Sequence, residues 1–172
     1  DEAIAEACLE AAAGEIVEPV NFNSPGQVVI AGHAGAVERA LAACKARGAK
    51  RAVLLPMSVP AHSSLMQPAA VRFAELLDNA RIATPQLQFW SPVDSARHEG
   101  AEGVRALLKR QLISPVYWSG LVRALVAAGA TRFVECGPGK VLTSLNRRIE
   151  KRPDIECLAL QDPDSLRAAL AS

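Results

Sequence analysis

The sequence predicts an α/β fold in two regions, and three observations carry that prediction. The first 55 residues set two helical patterns around a pair of β-branched runs. The texture changes at a stretch rich in Pro, Ser and His from Pro56 to Ser64. Beyond it, helical and strand-like segments alternate to the end. Alternation with elements of this length implies parallel strands covered by helices.

The elements follow in order. Ala3, Ile4, Ala7, Cys8, Ala11 and Ala12 recur at helical spacing, and Gly14 stops that helix. The runs from Ile16 to Phe22 and from Gln27 to Ala31 flank Asn23-Ser24-Pro25-Gly26, a turn by composition, so they read as a hairpin. Val37, Ala40, Leu41 and Cys44 share a face of a second helix that ends at Gly48, and Ala52 to Leu55 is expected as a third strand. The order is then α-β-β-α-β, a split βαβ unit lacking only its first strand. That strand would precede Asp1, and the chain opens inside a helical pattern without Met, so a longer chain is expected. Past Pro56, the spacing predicts a helix over 67–77 and an alternating strand in 86–93. Helices are expected over 102–112 and 118–128, and a strand over 131–136 runs into Gly137-Pro138-Gly139. A helix to about Ile149, a strand over 155–160 and a helix over 165–171 complete the chain. The boundary between the regions is placed at 58/59.

Composition narrows the function. The 172 residues carry 19 Lys+Arg against 18 Asp+Glu, a net charge of +1, and aromatics are only 4%. Nucleic acids and anionic membranes are held by an excess of positive charge, and single strands by aromatic stacking, so neither partner is expected. No apolar run reaches the roughly 18 residues of a membrane span. Cys8, Cys44, Cys136 and Cys157 lie far apart without C-x-x-C spacing. They are expected to be reduced core thiols of a cytoplasmic protein rather than disulfides or metal ligands.

Few residues could carry chemistry. His62 lies in SVPAHSS, in the loop at the junction of the regions, where open α/β folds place ligands and catalysis. His33 and His98 lie where a cap or a surface histidine is expected. Gln111 ends a helix, and Asn21 and Asn23 flank Phe22 beside the turn. Lys45, Arg47, Lys50 and Arg51 form a local basic cluster that could receive an anionic partner. Gly137-Pro138-Gly139 lacks the spacing of a nucleotide loop. There is no G-x-S-x-G, and no histidine pair at helical metal spacing.

Four stretches, VNFNSPGQVVIAG, SVPAHSSLM, LLKRQLISPVYW and ECGPGKVLTSLNRRI, together resemble the C-terminal part of the malonyl-CoA:acyl carrier protein transacylase family. The resemblance runs through nearly the whole chain. It implies a ferredoxin-like small subdomain lacking its first strand, over 1–58. It also implies the C-terminal part of a hydrolase-like parallel α/β large subdomain, over 59–172. In that family a serine in a nucleophile elbow attacks the malonyl thioester of coenzyme A. The malonyl group then passes to the phosphopantetheine thiol of acyl carrier protein. A serine hydroxyl is a poor nucleophile until a neighbouring base takes its proton.

The resemblance assigns that base to His62. To Gln111 it assigns the role of a triad aspartate, its carbonyl accepting a hydrogen bond from the imidazole. It places Asn21 and Asn23 at the lip of the cleft, near coenzyme A or pantetheine. Ala61 stands in the loop lining the acyl pocket, where serine is common. Lys45, Arg47, Lys50 and Arg51 become a docking face for acidic carrier protein. No cofactor or metal is implied, since the coenzyme A thioester is a substrate. The nucleophile, the arginine for the malonyl carboxylate and the oxyanion donors belong to family segments upstream of Asp1. The chain alone is therefore expected to be inactive and to need that missing N-terminal part as its partner. The alternative is a non-enzymatic module that binds acyl carrier protein.

Overall fold

A computed structural model describes residues 1–171. Helix α1 (Glu2–Ala12) buries Ala7, Cys8 and Ala11, one apolar stripe. It ends where Ala13 and Gly14 turn left-handed, at φ 46° and 85°. Strands β1 (Val17–Ser24) and β2 (Gln27–Gly32) form an antiparallel hairpin. The turn is tighter than the sequence suggests. Asn23 and Ser24 stay in β1, and Pro25-Gly26 alone reverses the chain, with Gly26 at φ 73°. Pro19 has no N–H to give the ladder, and the register shifts between Pro19 and Asn21 to accommodate it. A Cβ on Gly32 would sit 2.1 Å from the Ile16 carbonyl oxygen, so only glycine fits there.

Helix α2 (Ala34–Ala46) packs on α1. Cys8, Ala11, Val17, Ala36 and Ala40 make the core, with Ile4, Ala12, Ile30 and Val37 against it. Arg39 reaches from α2 to donate to the carbonyls of Ala11 (2.8 Å) and Ala12 (3.0 Å) and to Glu15 (2.8 Å). It thereby satisfies helix-end carbonyls that α1 leaves open.

Two expectations about strands are corrected. Residues 52–55 form no strand, and Val53, Leu54 and Leu55 are exposed. A strand exists only through its ladder, and no described segment pairs with this run. The observed order is therefore α-β-β-α. The segment around Phe89 is also no member of a parallel sheet. It forms β3 (Phe89–Ser91), paired antiparallel with β4 (Ala96–His98). Local turn chemistry wins there: Ser91 Oγ accepts the Val93 N–H at 3.1 Å, and Ser95 is left-handed at φ 56°.

The rest follows the pattern. A 3₁₀ turn (Ser64–Met66) leads into α3 (Gln67–Asn79). Helices α4 (Gly100–Gln111) and α5 (Trp118–Ala127) come next, then β5 (Arg132–Cys136), α6 (Val141–Ile149), β6 (Glu156–Leu160) and α7 (Pro163–Ala171). Strands β5 and β6 are parallel and form the whole of their described sheet. A second core gathers Val122, Leu145 and Ile149 with Trp118 and Phe133, and Trp118 Nε1 donates to buried Asn146 at 2.9 Å.

Strand β1 joins the two regions. Its Phe22 N–H donates to the Val116 carbonyl (2.8 Å), and the Val116 N–H donates to Val20 (2.9 Å). The Phe22 ring stacks on Tyr117 with centroids 5.0 Å apart.

Candidate functional site

The site is built on His62, whose backbone is left-handed at φ 67°. A non-glycine residue holds that conformation only where its surroundings impose it. Here the His62 N–H donates to the Leu112 carbonyl (3.1 Å), and imidazole Nδ1 lies 2.8 Å from the Gln111 main-chain oxygen. A carbonyl can only accept, so Nδ1 carries the proton and Nε2 keeps its lone pair. The Gln111 carbonyl is free to accept because it ends α4, where no following turn uses it. The arrangement is an imidazole of fixed tautomer, oriented by a helix C-terminus, whose Nε2 can accept a proton.

The loop around it is pinned on both sides. Ser63 is buried, with its Oγ donating to the Pro60 carbonyl at 2.6 Å. One residue on, the N–H and Oγ of Ser64 donate to the two carboxylate oxygens of Glu18 on β1, each at 2.8 Å. The strand that clamps Ser64 also holds Val116, five residues beyond Gln111.

Of the residues singled out from the sequence, the structure brings His62 and Gln111 together, through the glutamine's main chain. The Gln111 side-chain amide bonds no described residue. Ala61 is half-buried in the turn just before His62. Asn21 and Asn23 are half-buried on β1, and their amides bond no described residue. Lys45, Lys50 and Arg51 are exposed and make no ion pair among the described residues. Arg47 differs from them: it pairs with Glu10 at 2.5 Å, tying the end of α2 to α1. That bond raises the guanidinium's pKa and holds the Glu10 carboxyl below its ordinary range.

Two other candidates are structural. His33 Nδ1 accepts the Ile16 N–H at 3.0 Å. The Gly137-Pro138-Gly139 turn opens α6, but the first N–H groups of that helix already hold an anion. Glu135 accepts from Leu142 (3.1 Å) and Thr143 (2.7 Å). Burial raises the Glu135 pKa, yet the bonds from Thr143, Leu142 and Val141 outweigh it and leave the carboxyl below its ordinary value. A cavity of about 240 Å³ is lined by Thr84 to Gln88 and Arg97 to Gly100, and His62 is not part of it. No group of three His, Cys, Asp or Glu among the described residues could hold a metal, and no described helix is long and apolar enough to cross a membrane.

Sequence reading missed Glu18, Ser64 and the Leu112 carbonyl. Glu18 and Ser64 are 46 residues apart, and no local pattern links them. The sole hint is a carboxylate inside an otherwise β-branched run.

A histidine of fixed tautomer with a free Nε2, set in a loop at the seam of an α/β fold, has the geometry of a proton acceptor. Residues 3–160 match the acyl transferase domain model, and the chain belongs to that family. Within it, the chain is similar to malonyl CoA-acyl carrier protein transacylases. It is 50% identical over 170 residues to the one from Salmonella typhimurium, a span that covers 99% of this chain and 54% of that protein. It is 38% identical over 157 residues to the one from Bacillus subtilis, covering 91% and 49%. The crystal structure of an acyl carrier protein S-malonyltransferase from Vibrio cholerae superposes with a TM-score of 0.94 at 50% identity, covering 98% of this chain and 55% of that one. A malonyl-transacylase in complex with a type II polyketide synthase acyl-carrier protein superposes at 0.96 with 47% identity, covering 99% and 55%. The chain thus spans about half the length of these relatives.

Proposed function

We propose that this chain supplies the general-base part of a malonyl-CoA:acyl carrier protein transacylase. The single observation that carries this reading is the bond between His62 Nδ1 and the Gln111 carbonyl, which leaves Nε2 ready to take a proton. Nε2 accepts the proton of a seryl hydroxyl as the serine attacks the malonyl thioester, then returns it to the departing coenzyme A thiol. In the second half, Nε2 takes the proton of the pantetheine thiol, which attacks the seryl ester, and the regenerated serine hydroxyl receives it. The serine lies outside these 172 residues. The α-β-β-α order supports a ferredoxin-like small subdomain, and the β5-α6-β6 unit supports a hydrolase-like large one. Asn21 and Asn23 on β1 are assigned to the coenzyme A or pantetheine side, and Ala61, just before the base, to the acyl pocket.

Mass spectrometry after incubation with malonyl-CoA tests the reading. The 172 residues alone should gain no malonyl adduct, whereas the longer protein that contains them should. His62→Ala in that longer protein should slow loading by about 10²–10⁴-fold, the usual size of general-base catalysis. An unchanged loading rate would remove His62 from the mechanism.

Carrier-protein docking is assigned to Lys45, Lys50 and Arg51, the members of the basic cluster outside the Glu10 ion pair. Lys50→Glu with Arg51→Glu should weaken binding of acyl carrier protein at low salt, and the difference should shrink as salt screens it. Binding that survives both substitutions at low salt would rule out this face.

A further inference from the structure

We infer that Glu18 is a positioning residue for the base: its carboxylate, by clamping Ser64, holds the His62 loop in the left-handed turn that presents the imidazole. The inference rests on His62 being the base. Three observations carry it. Both Glu18 oxygens are used, one on the Ser64 N–H and one on its Oγ, at 2.8 Å each. The clamped residue stands two positions after His62, at the start of the 3₁₀ turn that leads into α3. And Glu18 belongs to the strand that also fixes the opposite side of the site, since Val20 and Phe22 are hydrogen-bonded to Val116. One strand therefore sets both halves of the pair, the imidazole loop through a side chain and the Gln111 segment through its main chain.

The physical requirement is precision. His62 sits in a backbone conformation that costs free energy outside glycine, so it persists only under external constraint. Its own N–H to Leu112 and Nδ1 to Gln111 constrain one side of the turn. The hydrogen bonds of Ser63 go to Pro60 and Met66, both within three residues of it, and do not reach β1. The Glu18–Ser64 clamp anchors the loop there. Without the clamp the loop can relax from φ 67°, the Nδ1 bond loosens, and the tautomer is no longer fixed.

The test uses the longer, loading-competent protein and compares Glu18→Ala, Glu18→Gln, Ser64→Ala and His62→Ala. A misplaced base lowers the rate of the chemical step far more than it changes substrate binding. Glu18→Ala should therefore reduce kcat for malonyl loading by about 10–100-fold, with KM for malonyl-CoA little changed. Glu18→Gln should recover most of the rate. Its carbonyl can accept the Ser64 N–H, and its amide can donate to Ser64 Oγ, so geometry survives the loss of charge. The Glu18→Ala and Ser64→Ala losses should not add in the double variant, because they break one clamp. A Glu18→Ala kcat within twofold of the parent would overturn the inference, as would strictly additive losses or a Glu18→Gln rate no better than Glu18→Ala. Should Glu18→Ala fail to fold, the Glu18→Gln and Ser64→Ala rates decide alone: full rate in Ser64→Ala with halved or lower rate in Glu18→Gln would count against the clamp. His62→Ala separates the two levels, since an unaffected His62→Ala would sink the base itself, whereas a slow His62→Ala beside a normal Glu18→Ala would sink only the clamp.

Discussion

The helix–hairpin–helix of residues 2–46 and the β5-α6-β6 unit of residues 132–160 solve the burial problem differently. In the first, two helices cover one face of an antiparallel hairpin, and alanines at Ala36 and Ala40 bring the helices close enough to exclude water. In the second, a parallel pair has cover on only part of its surface. Val134 is 41% exposed on β5, and Val141 is 68% exposed at the start of α6. Antiparallel sheets tolerate a wet face, whereas parallel ones are found with both faces covered. Two helices close the N-terminal core, whereas the parallel pair and the start of α6 keep apolar side chains in solvent.

The largest expected effect follows from this contrast and is read with cysteines. Cys8 lies in the first core and Cys157 on β6; both are buried, while Cys136 is exposed. Burial, with Cys44 and Glu18 nearby, pushes the Cys8 thiol up to about 11, and burial also raises that of Cys157. Thiolate, not thiol, reacts, so both should resist a thiol reagent in the native state while Cys136 reacts at once. In the 172-residue chain under increasing denaturant, Cys157 should become reactive well before Cys8, each reporting the opening of its own region. Simultaneous labelling would mean the two regions unfold as one unit and would break the comparison.

Much of this was legible in the sequence, because periodicity reports burial. The helical spacing of Ala7, Cys8 and Ala11 and the β-branched runs around Pro25-Gly26 mark the first helix and the hairpin, with only the strand ends displaced. The failures share one cause. Residues 52–55 have strand composition but no described partner, and residues 86–93 alternate like a strand yet turn back at Ser95. Strand identity is decided by pairing, which local sequence does not contain. The site divides the same way. His62 was visible as a histidine in a junction loop, and the motif resemblance pointed to Gln111. Its use of a main-chain oxygen, and the clamp from Glu18 across 46 residues, are products of the fold alone.

A smaller effect sharpens the contrast from the acid side. Glu135 holds the N-terminus of α6, and its carboxyl lies below the ordinary value of 4.5 in the folded protein. A depressed folded-state pKa contributes stability that is fully present above the unfolded value and lost as pH falls through the folded one. Protection of α6 amides from hydrogen exchange should therefore fall between neutral pH and pH values below 4.5, after correction for the intrinsic exchange rate. Protection of α1 and α2 amides should change less. Glu135→Gln should lower α6 protection at neutral pH and flatten its pH dependence. Equal acid sensitivity in both units would show that the Glu135 cap is not what sets the difference.

The smallest expected effect lies at the seam between the two regions. Gln111 meets His62 through a main-chain oxygen that every residue type possesses, and its side-chain amide bonds nothing described. Position 111 is also the last residue of α4, where alanine is at least as good a helix former as glutamine. Gln111→Ala in the longer protein should then keep the carbonyl, the tautomer and the helix end. Malonyl loading should stay within about threefold of the parent, less than 1 kcal/mol of barrier. The contrast with His62→Ala is the informative part, because the two residues are partners in one hydrogen bond and only one of them should matter as a side chain. A Gln111→Ala loss approaching that of His62→Ala would mean that the amide itself takes part in the chemistry. The seam would then owe its function to side chains on both sides, and not to one side chain set against a helix end.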